Sequence, residues 1–594
     1  MYKNFPAVLF FAISFALFLS ACSNSEYVNE FGVPVSDYAF DDKSQDSAYI
    51  KNTFTDFPPS GFYPKPFTIF IPGNKLLNCE TGGIAPTKNS SAQKEISIDS
   101  TTVIRCIDNS ADTTTEIVRT YIFEKKPTIP AIFIATDPNS LFNPDTGIYV
   151  DGPNAEEKMP HKGANYWLDK EIPIFIEFTE AEAYIPAFTE YAGLKIFGNY
   201  SRVNPKKSVS INFREKYGKK RLNYMLFPEF PSLNQFKSFV LRNFGNIFER
   251  DYIRDRLASS ISEGLNVDYQ RGRYVIVYYN GQYFGLHDMR ERSNEYYFET
   301  HYGLKHKNIN LLKANNNASA GSSDDYISLM NWLKSNNLDN EINYNYISSK
   351  IDINNFINYM QIEIFAYNHD WPGNNEKKWN CTNPQTLWKW FIYDVDAGFE
   401  EEYVASNMFY FLSSQGETNY ANAPHHTLLF RSLLQNENFK NSFINRMTTL
   451  LQMNLKSSRI LAQIEKLMSD IEKEIPRDQM RWSRSPTKMD KQLQIIKQFA
   501  INRPSHLIQH LQEFFKLGSP VPITLSTNKK GTIQVHGLPL DEDSLTITFF
   551  TGLPVTITAI PQKGCSWSHW SDGETKATRI IYPNKNTKLV AIFE

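Results

Sequence analysis

Residues 368–375 read NHDWPGNN, and residues 387–399 read LWKWFIYDVDAGF. The first stretch follows an amphipathic helical pattern. Its Pro372-Gly373 pair forces an irregular loop in which Asp370 and Asn375 stand five apart, and loops held on rigid scaffolds often carry function. The second is an aromatic run that reads as a buried strand, and two carboxylates, Asp394 and Asp396, leave it together. In an extended chain, residues two apart share a face. Both aspartates are therefore predicted to point where Trp388 and Trp390 point, an arrangement suited to a divalent cation. A calcium loop starting at Asp394 needs Gly at its sixth position and Glu at its twelfth; those positions hold Phe399 and Ala405, which excludes it. Read alone, the first stretch is equally a turn in which Asp370 and Asn374 satisfy local backbone donors.

Upstream, a loop with Gly198, Ser201 and Arg202 leads into PKKSVSINF (205–213), a strand that opens with Lys206 and Lys207. A strand lysine beneath a flexible loop can hold phosphates, although lysines are also common on solvated strand edges. In DYIRDRLASSISEGL (251–265), Ile253, Leu257, Ile261 and Leu265 recur every four residues, which predicts a helix with Asp255, Ser259 and Glu263 together on another face. VIVYYNGQYFGLHDM (275–289) contains Asn280-Gly281, a strong hairpin turn, and KNINLL and VSINF also read as strands. Long amphipathic helical patterns take over from about Asp324. The fold class is α+β, with a sheet-rich first half and a helical second half.

Five strings in order, GLKIFGNYSRVNPKKSVSINF, LRNFGNIFERDYIRDRLASSI, YYNGQYFGLHDMRE, NHDWPGNN and WFIYDVDAGF, resemble the CotH family of exported atypical protein kinases. The likeness spans roughly residues 128 to 515, and the helical text LLFRSLLQNENFKNSFINRM continues it. The resemblance implies an atypical bilobal protein-kinase-like body that transfers the γ-phosphoryl of ATP to serine or threonine hydroxyls, with Mg²⁺ or Mn²⁺. Asp370 then becomes the base, with the five-residue spacing to Asn375 that a kinase catalytic loop uses. Asn375 and one or both of Asp394 and Asp396 become metal ligands. Lys206 or Lys207 pairs with phosphate; which of them faces the cleft depends on strand register, because neighbours point oppositely. Glu263 or Glu291 would orient that lysine. The chain lacks a G-x-G-x-x-G loop, keeps Gly198 alone near that place, and so leaves Arg202 and backbone amides as substitutes; DVDAG also has no Phe-Gly directly after its aspartate.

Two small all-β modules flank this body, which is assigned to 126–517. Residues 57–125 hold short runs, FTIFI, TVIRCI and TEIVRTYIF, between Pro, Gly and Asn punctuation, and resemble the β-sandwich at the C-terminus of chitobiases. Residues 518–594 alternate apolar and polar residues in PITLSTNKKGTIQV, LTITFF and PVTITAI, and resemble the internalin-type repeat of bacterial surface proteins. Of Trp567 and Trp570, one reads as the core of that repeat.

The chain opens with Lys3, an apolar run from Phe5 to Leu19, and Leu19-Ser20-Ala21-Cys22. Residues 1–21 read as an export signal too short to span a bilayer, and the last four residues resemble a bacterial lipobox with lipid on Cys22. Ser23 favours the outer membrane, and the Ser-, Asp- and Asn-rich stretch 22–56 reads as a linker. Cys79 and Cys106, in one β-rich region, are the candidate disulfide, while Cys381 and Cys565 read as buried thiols. With 62 Lys+Arg against 64 Asp+Glu there is no basic field for nucleic acid.

Two functions from different classes follow. One is a lipid-anchored cell-surface kinase acting on secreted or surface proteins. The other is a non-catalytic scaffold or adhesion protein; the 14% aromatic content makes polysaccharide contact through the β modules a candidate role. Glycoside hydrolysis is excluded, since it needs acid and base on opposite sides of a sugar, and Asp394 and Asp396 share a face.

Overall fold

The structure, a computed structural model, describes residues 53–54, 57–71, 76–108, 116–414 and 420–594. The export signal 1–21, Cys22 and nearly all of the 22–56 linker lie outside the described residues. Among the described residues no helix is long and apolar enough to cross a membrane. The chain is α+β, and its described residues divide into two compact units: those up to 150 with 173–191 and 276–284, and those of 151–172, 192–275 and 285–594.

In the first unit, strand Phe67–Phe70 alternates buried Phe67 and Ile69 with half-buried Thr68 and Phe70, the period of a strand with one face on a core. It pairs with Glu95–Ile98 and with Thr53–Phe54, a strand that falls inside the stretch expected to be linker. A second, five-stranded sheet is ordered Gly61–Phe62, Glu116–Ile122, Thr102–Ile107, Leu77–Thr81, Ala92–Gln93. Phe67, Ile69, Ile98, Ile104 and Tyr121 meet in the core of this unit. Cys79 and Cys106 stand directly opposite each other on adjacent antiparallel strands and are bonded. Cys381 is a buried free thiol, and Cys565 is free and half-buried.

In the second unit, strand Val209–Asn212 pairs antiparallel with residues 193–196 on one side and with strand Ser238–Arg242 on the other, and Ser238–Arg242 pairs in turn with residues 288–291. In the first unit the chain turns at Asn280-Gly281, both with positive φ. Within the second unit the register sets Val209 opposite Leu241, Val240 opposite Arg290, and Arg242 opposite Asp288.

The second unit adds a five-stranded sheet in the order Asp268–Tyr269, Lys389–Ile392, Lys377–Cys381, Ile309–Lys313, Ala318–Ala320. On one side Trp379 and Phe391 pack with Tyr297 and Phe298. Trp390 meets Phe356 of helix Ile353–Ala366 with ring centroids 4.6 Å apart. That helix begins with Asp352 accepting from the Asn355 backbone N–H and is buried along nearly its whole length, so its end is a fixed point from which a loop can be aimed.

Residues 518–594 form two four-stranded sheets around Ile523, Leu525, Ile547, Val555 and Trp570, with Trp570 fully buried and Trp567 half-buried. They belong to the same compact unit as helix Glu437–Leu450. Arg446 of helix Glu437–Leu450 donates to the His536 carbonyl at 3.0 Å, and Asn445 donates to the Pro554 carbonyl at 3.0 Å.

Candidate active site

Strand Ser238–Arg242 is buried except at its last residue, so its one charged side chain emerges where the strand ends. Arg242 donates to Asp255 Oδ2 at 2.7 Å, to Asp394 Oδ1 at 2.5 Å and to Asp396 Oδ2 at 2.8 Å. Asp255 comes from the first turn of helix Arg254–Ile261, where a carboxylate also suits the positive end of the helix dipole. Its carboxylate is shared with Arg290. Burial would raise the Asp255 carboxyl, but Arg242 and Arg290 outweigh it and hold it at about 2.

Asp396 has the opposite balance. Burial pushes its carboxyl up to about 8, aided by Asp394 and Asp255 against the pull of Arg242. One of its oxygens accepts from Arg242 and, at 3.0 Å, from the Asn246 backbone N–H; the other, Oδ1, is buried without a hydrogen-bond partner among the described residues. Gly245, at φ +61°, makes room for it, since a Cβ there would lie 2.2 Å from Asp396 Oδ2. Asp255, Asp394 and Asp396 bring ligand oxygens within 4.8 Å of one another. The orphaned Asp396 oxygen is a free ligand, and a cation there would take the place of the proton that burial favours on this carboxyl. These residues fit a divalent cation.

The loop 368–375 reaches the same cleft because helix Ile353–Ala366 stops at Tyr367, whose φ of 48° turns the chain out of the helix. Trp371, 1% exposed, anchors the loop by donating to the Tyr359 hydroxyl at 2.6 Å. Asn368 donates to Glu363 at 3.0 Å, and burial pushes that fully enclosed carboxyl up to about 8. Asp370 Oδ2 accepts from Asn374 at 3.0 Å and from Asn375 at 2.9 Å, while Oδ1 accepts from the Tyr420 hydroxyl. That hydrogen bond, with partial burial, pushes the Tyr420 phenol up to about 12.

Asp370, Asn375, Asp394, Asp396 and Arg202 all line one cleft of about 430 Å³. Several of its cations have no carboxylate in hydrogen-bonding contact among the described residues. Arg292 donates to Asn212 Oδ1 at 2.8 Å, and Arg202 donates to the Gly198 and Tyr166 carbonyls at 2.6 and 2.8 Å. Lys377 donates to Ser293 and lies 3.7 Å from the centre of the Tyr393 ring. Burial, reinforced by Lys313 and Arg292, pulls the Lys377 ammonium down to about 7. An adjoining cleft of about 450 Å³ shares Arg292, Lys313 and Lys377. Cations gathered without counter-ions suit a ligand bearing several phosphate charges.

Four residues singled out in the sequence lie elsewhere. The strand expected to carry Lys206 and Lys207 begins only at Val209, so pleat parity does not govern either. Lys206 is wholly buried, ion-paired with Asp478 at 2.8 Å and donating to the Leu286 carbonyl at 2.7 Å. Lys207 donates to the Arg202 and Asn204 carbonyls at 2.6 and 3.1 Å and lies 3.9 Å from the centre of the Tyr166 ring. Glu263 lies beyond the helix, which ends at Ile261, and is exposed; the acid that helix offers is Asp255. Glu291 alternates with Arg290 and Arg292, so it faces away from the cleft they line, where it pairs with His301 at 2.6 Å. Trp388 and Trp390 do not line the cleft either. Asp394 has φ 59°, which takes the chain out of extended conformation and ends the alternation on which the shared face was argued. Arg242, Arg290, Arg292 and Lys377 carry no motif; the visible signal was a lone cation closing the apolar run Phe239-Val240-Leu241.

No curated protein matches the chain. The family model described as CotH kinase protein matches residues 194–507, just over half of the chain, and takes in every cleft residue named above. The acidic cluster, the Asp370 loop and the cation-lined cleft thus fall together inside one matched domain, and the chain belongs to the CotH kinase protein family.

Proposed function

We propose that the chain is an exported protein kinase that transfers the γ-phosphoryl group of ATP to serine or threonine hydroxyls of secreted or surface proteins. The observation that carries this reading is the Asp255–Asp394–Asp396 cluster, whose Asp394 and Asp396 line one cleft with Asp370, Asn375 and several cations that no described carboxylate pairs. Asp370 takes the acceptor proton, held in orientation by the Asn374 and Asn375 amides. Asn375, Asp394 and Asp396 hold Mg²⁺ or Mn²⁺, with Asp255 behind them. The chemistry supplied by that ion is neutralisation of the charge that develops on the phosphates. Arg202, Arg292, Lys313 and Lys377 bind phosphate oxygens, the role first sought in Lys206 and Lys207. Arg242 cross-links helix, strand and metal-bearing aspartates through its contacts with Asp255, Asp394 and Asp396.

Lipid on Cys22 as the route to the membrane, and a place at the outer membrane or cell surface, belong to the same proposal. They are supported by the Leu19-Ser20-Ala21-Cys22 string and by the Cys79–Cys106 bond, which suits an oxidising compartment.

The test is incubation of the full chain with γ-labelled ATP, Mg²⁺ and envelope proteins. Label moves to protein, and Asp370→Ala lowers kcat by about 10²- to 10⁴-fold while nucleotide binding persists. Undiminished transfer by that variant overturns the mechanism. Absence of nucleotide binding, with retention on polysaccharide, would replace it by the scaffold reading.

A further inference from the structure

The hydroxyl found on Asp370 belongs to the protein itself. Tyr420 Oη donates to Asp370 Oδ1, the oxygen left free by the Asn374 and Asn375 amides. An acceptor hydroxyl giving its proton to this base would occupy the same place. The contact is built into the backbone. The Gly373 N–H, inside the Asp370 loop, donates to the Ala421 carbonyl at 2.6 Å, and Ala421 and Asn422 are fully buried. A Cβ at Gly373 would lie 2.2 Å from the Tyr420 carbonyl oxygen, so the loop and this segment approach as closely as glycine permits. The Tyr420 ring, by contrast, is 65% exposed, so only its tip is committed.

We infer that Tyr420 is a phosphoacceptor of the chain's own reaction, modified in cis. The inference rests on the kinase reading above. Tyr420 Oη gives its proton to Asp370 as the new Oη–P bond forms at the γ-phosphorus of a nucleoside triphosphate. The bond from that phosphorus to the β,γ-bridging oxygen breaks, and its electron pair leaves with the nucleoside diphosphate. Once Asp370 has passed that proton to solvent, its carboxylate faces the dianionic phosphotyrosine, and the like charges drive the phosphotyrosine off the base. Asp370 is thereby opened to external hydroxyls.

The experiment uses the full chain with ATP and Mg²⁺, reading ADP release, intact mass and phosphopeptide position together. One phosphate per chain on Tyr420 is expected, gained at a rate independent of protein concentration. A size-tagged Asp370→Ala chain mixed in stays unlabelled at Tyr420. Tyr420→Phe, which keeps the exposed ring, loses that phosphate and still binds nucleotide. ADP release with no phosphate on Tyr420 overturns the inference while leaving the kinase reading intact, and transfer to the tagged chain overturns the cis assignment. A wild-type chain that neither binds nor turns over ATP overturns the kinase reading, and this inference with it.

Discussion

Replacing Arg242 with methionine removes the one side chain that touches all three clustered carboxylates, at 2.7, 2.5 and 2.8 Å. The arginine side chain is 12% exposed and its partners 7%, 25% and 3%, so solvent screens little of the interaction. Removing one member of a buried ion pair costs about 3–5 kcal/mol, because a charge is left without a partner. The lower figure applies here. Asp255 keeps Arg290, and burial already favours the protonated, uncharged form of Asp396. A loss of about 3 kcal/mol lowers the folding equilibrium constant by about 10²-fold. The assay is urea unfolding followed by tryptophan fluorescence, which reports the second unit because all nine tryptophans lie in it. In Arg242→Met, Mg²⁺ takes over the lost charge. At a hundred times its dissociation constant it restores about 2.7 kcal/mol, more than it adds to the wild type, where the guanidinium competes. If Arg242→Met unfolds within about 0.5 kcal/mol of the wild type, or ignores Mg²⁺, the acidic cluster is not an electrostatic unit and the metal assignment falls with it.

Lys206→Met costs about 3–5 kcal/mol by exposing Asp478 to burial with Arg484 as its remaining ion partner, yet leaves nucleotide affinity unchanged; a folded variant that no longer binds ATP would return Lys206 to the site. Glu177 is buried in the first unit, accepts from the Thr120 hydroxyl at 2.9 Å, and is pushed by burial up to about 7 from an ordinary 4.5. The folded chain therefore holds more protons than the unfolded one between those values, so the stability this group contributes is full below pH 4.5 and is lost as pH rises to 7. Glu177→Gln should flatten that slope in thermal unfolding, and an unchanged slope would assign it to other groups. Reduction of the Cys79–Cys106 bond should destabilise the first unit by about 2–4 kcal/mol, and proteolysis at a fixed temperature should show cleavage there before any in the second unit.

The sequence alone determined what depends on neighbours along the chain. The loop that carries Asp370 and Asn375 is legible because Pro372 and Gly373 cannot continue the helix before it, and Asp394 and Asp396 are legible because an apolar run ends in charge. The hairpin at Asn280-Gly281 and the alternation of the β modules rest on equally local rules. The family followed from those strings and their order.

Tertiary structure decided which cations and acids serve the cleft. Arg242 meets Asp394 and Asp396 across 152 and 154 residues, through the register of one strand and the packing of one helix. No spacing rule separates it from Lys206 or Lys207, which are also basic residues beside a strand. The distinction arises because the strand starts at Val209, and the folded chain brings Asp478, 272 residues away, against Lys206. Glu263 gave way to Asp255 because the helix stops at Ile261, two residues before the glutamate. Periodicity says which residues share a face. Only the folded chain says what that face meets, because a burial cost is offset by whichever partner packing brings within hydrogen-bonding distance.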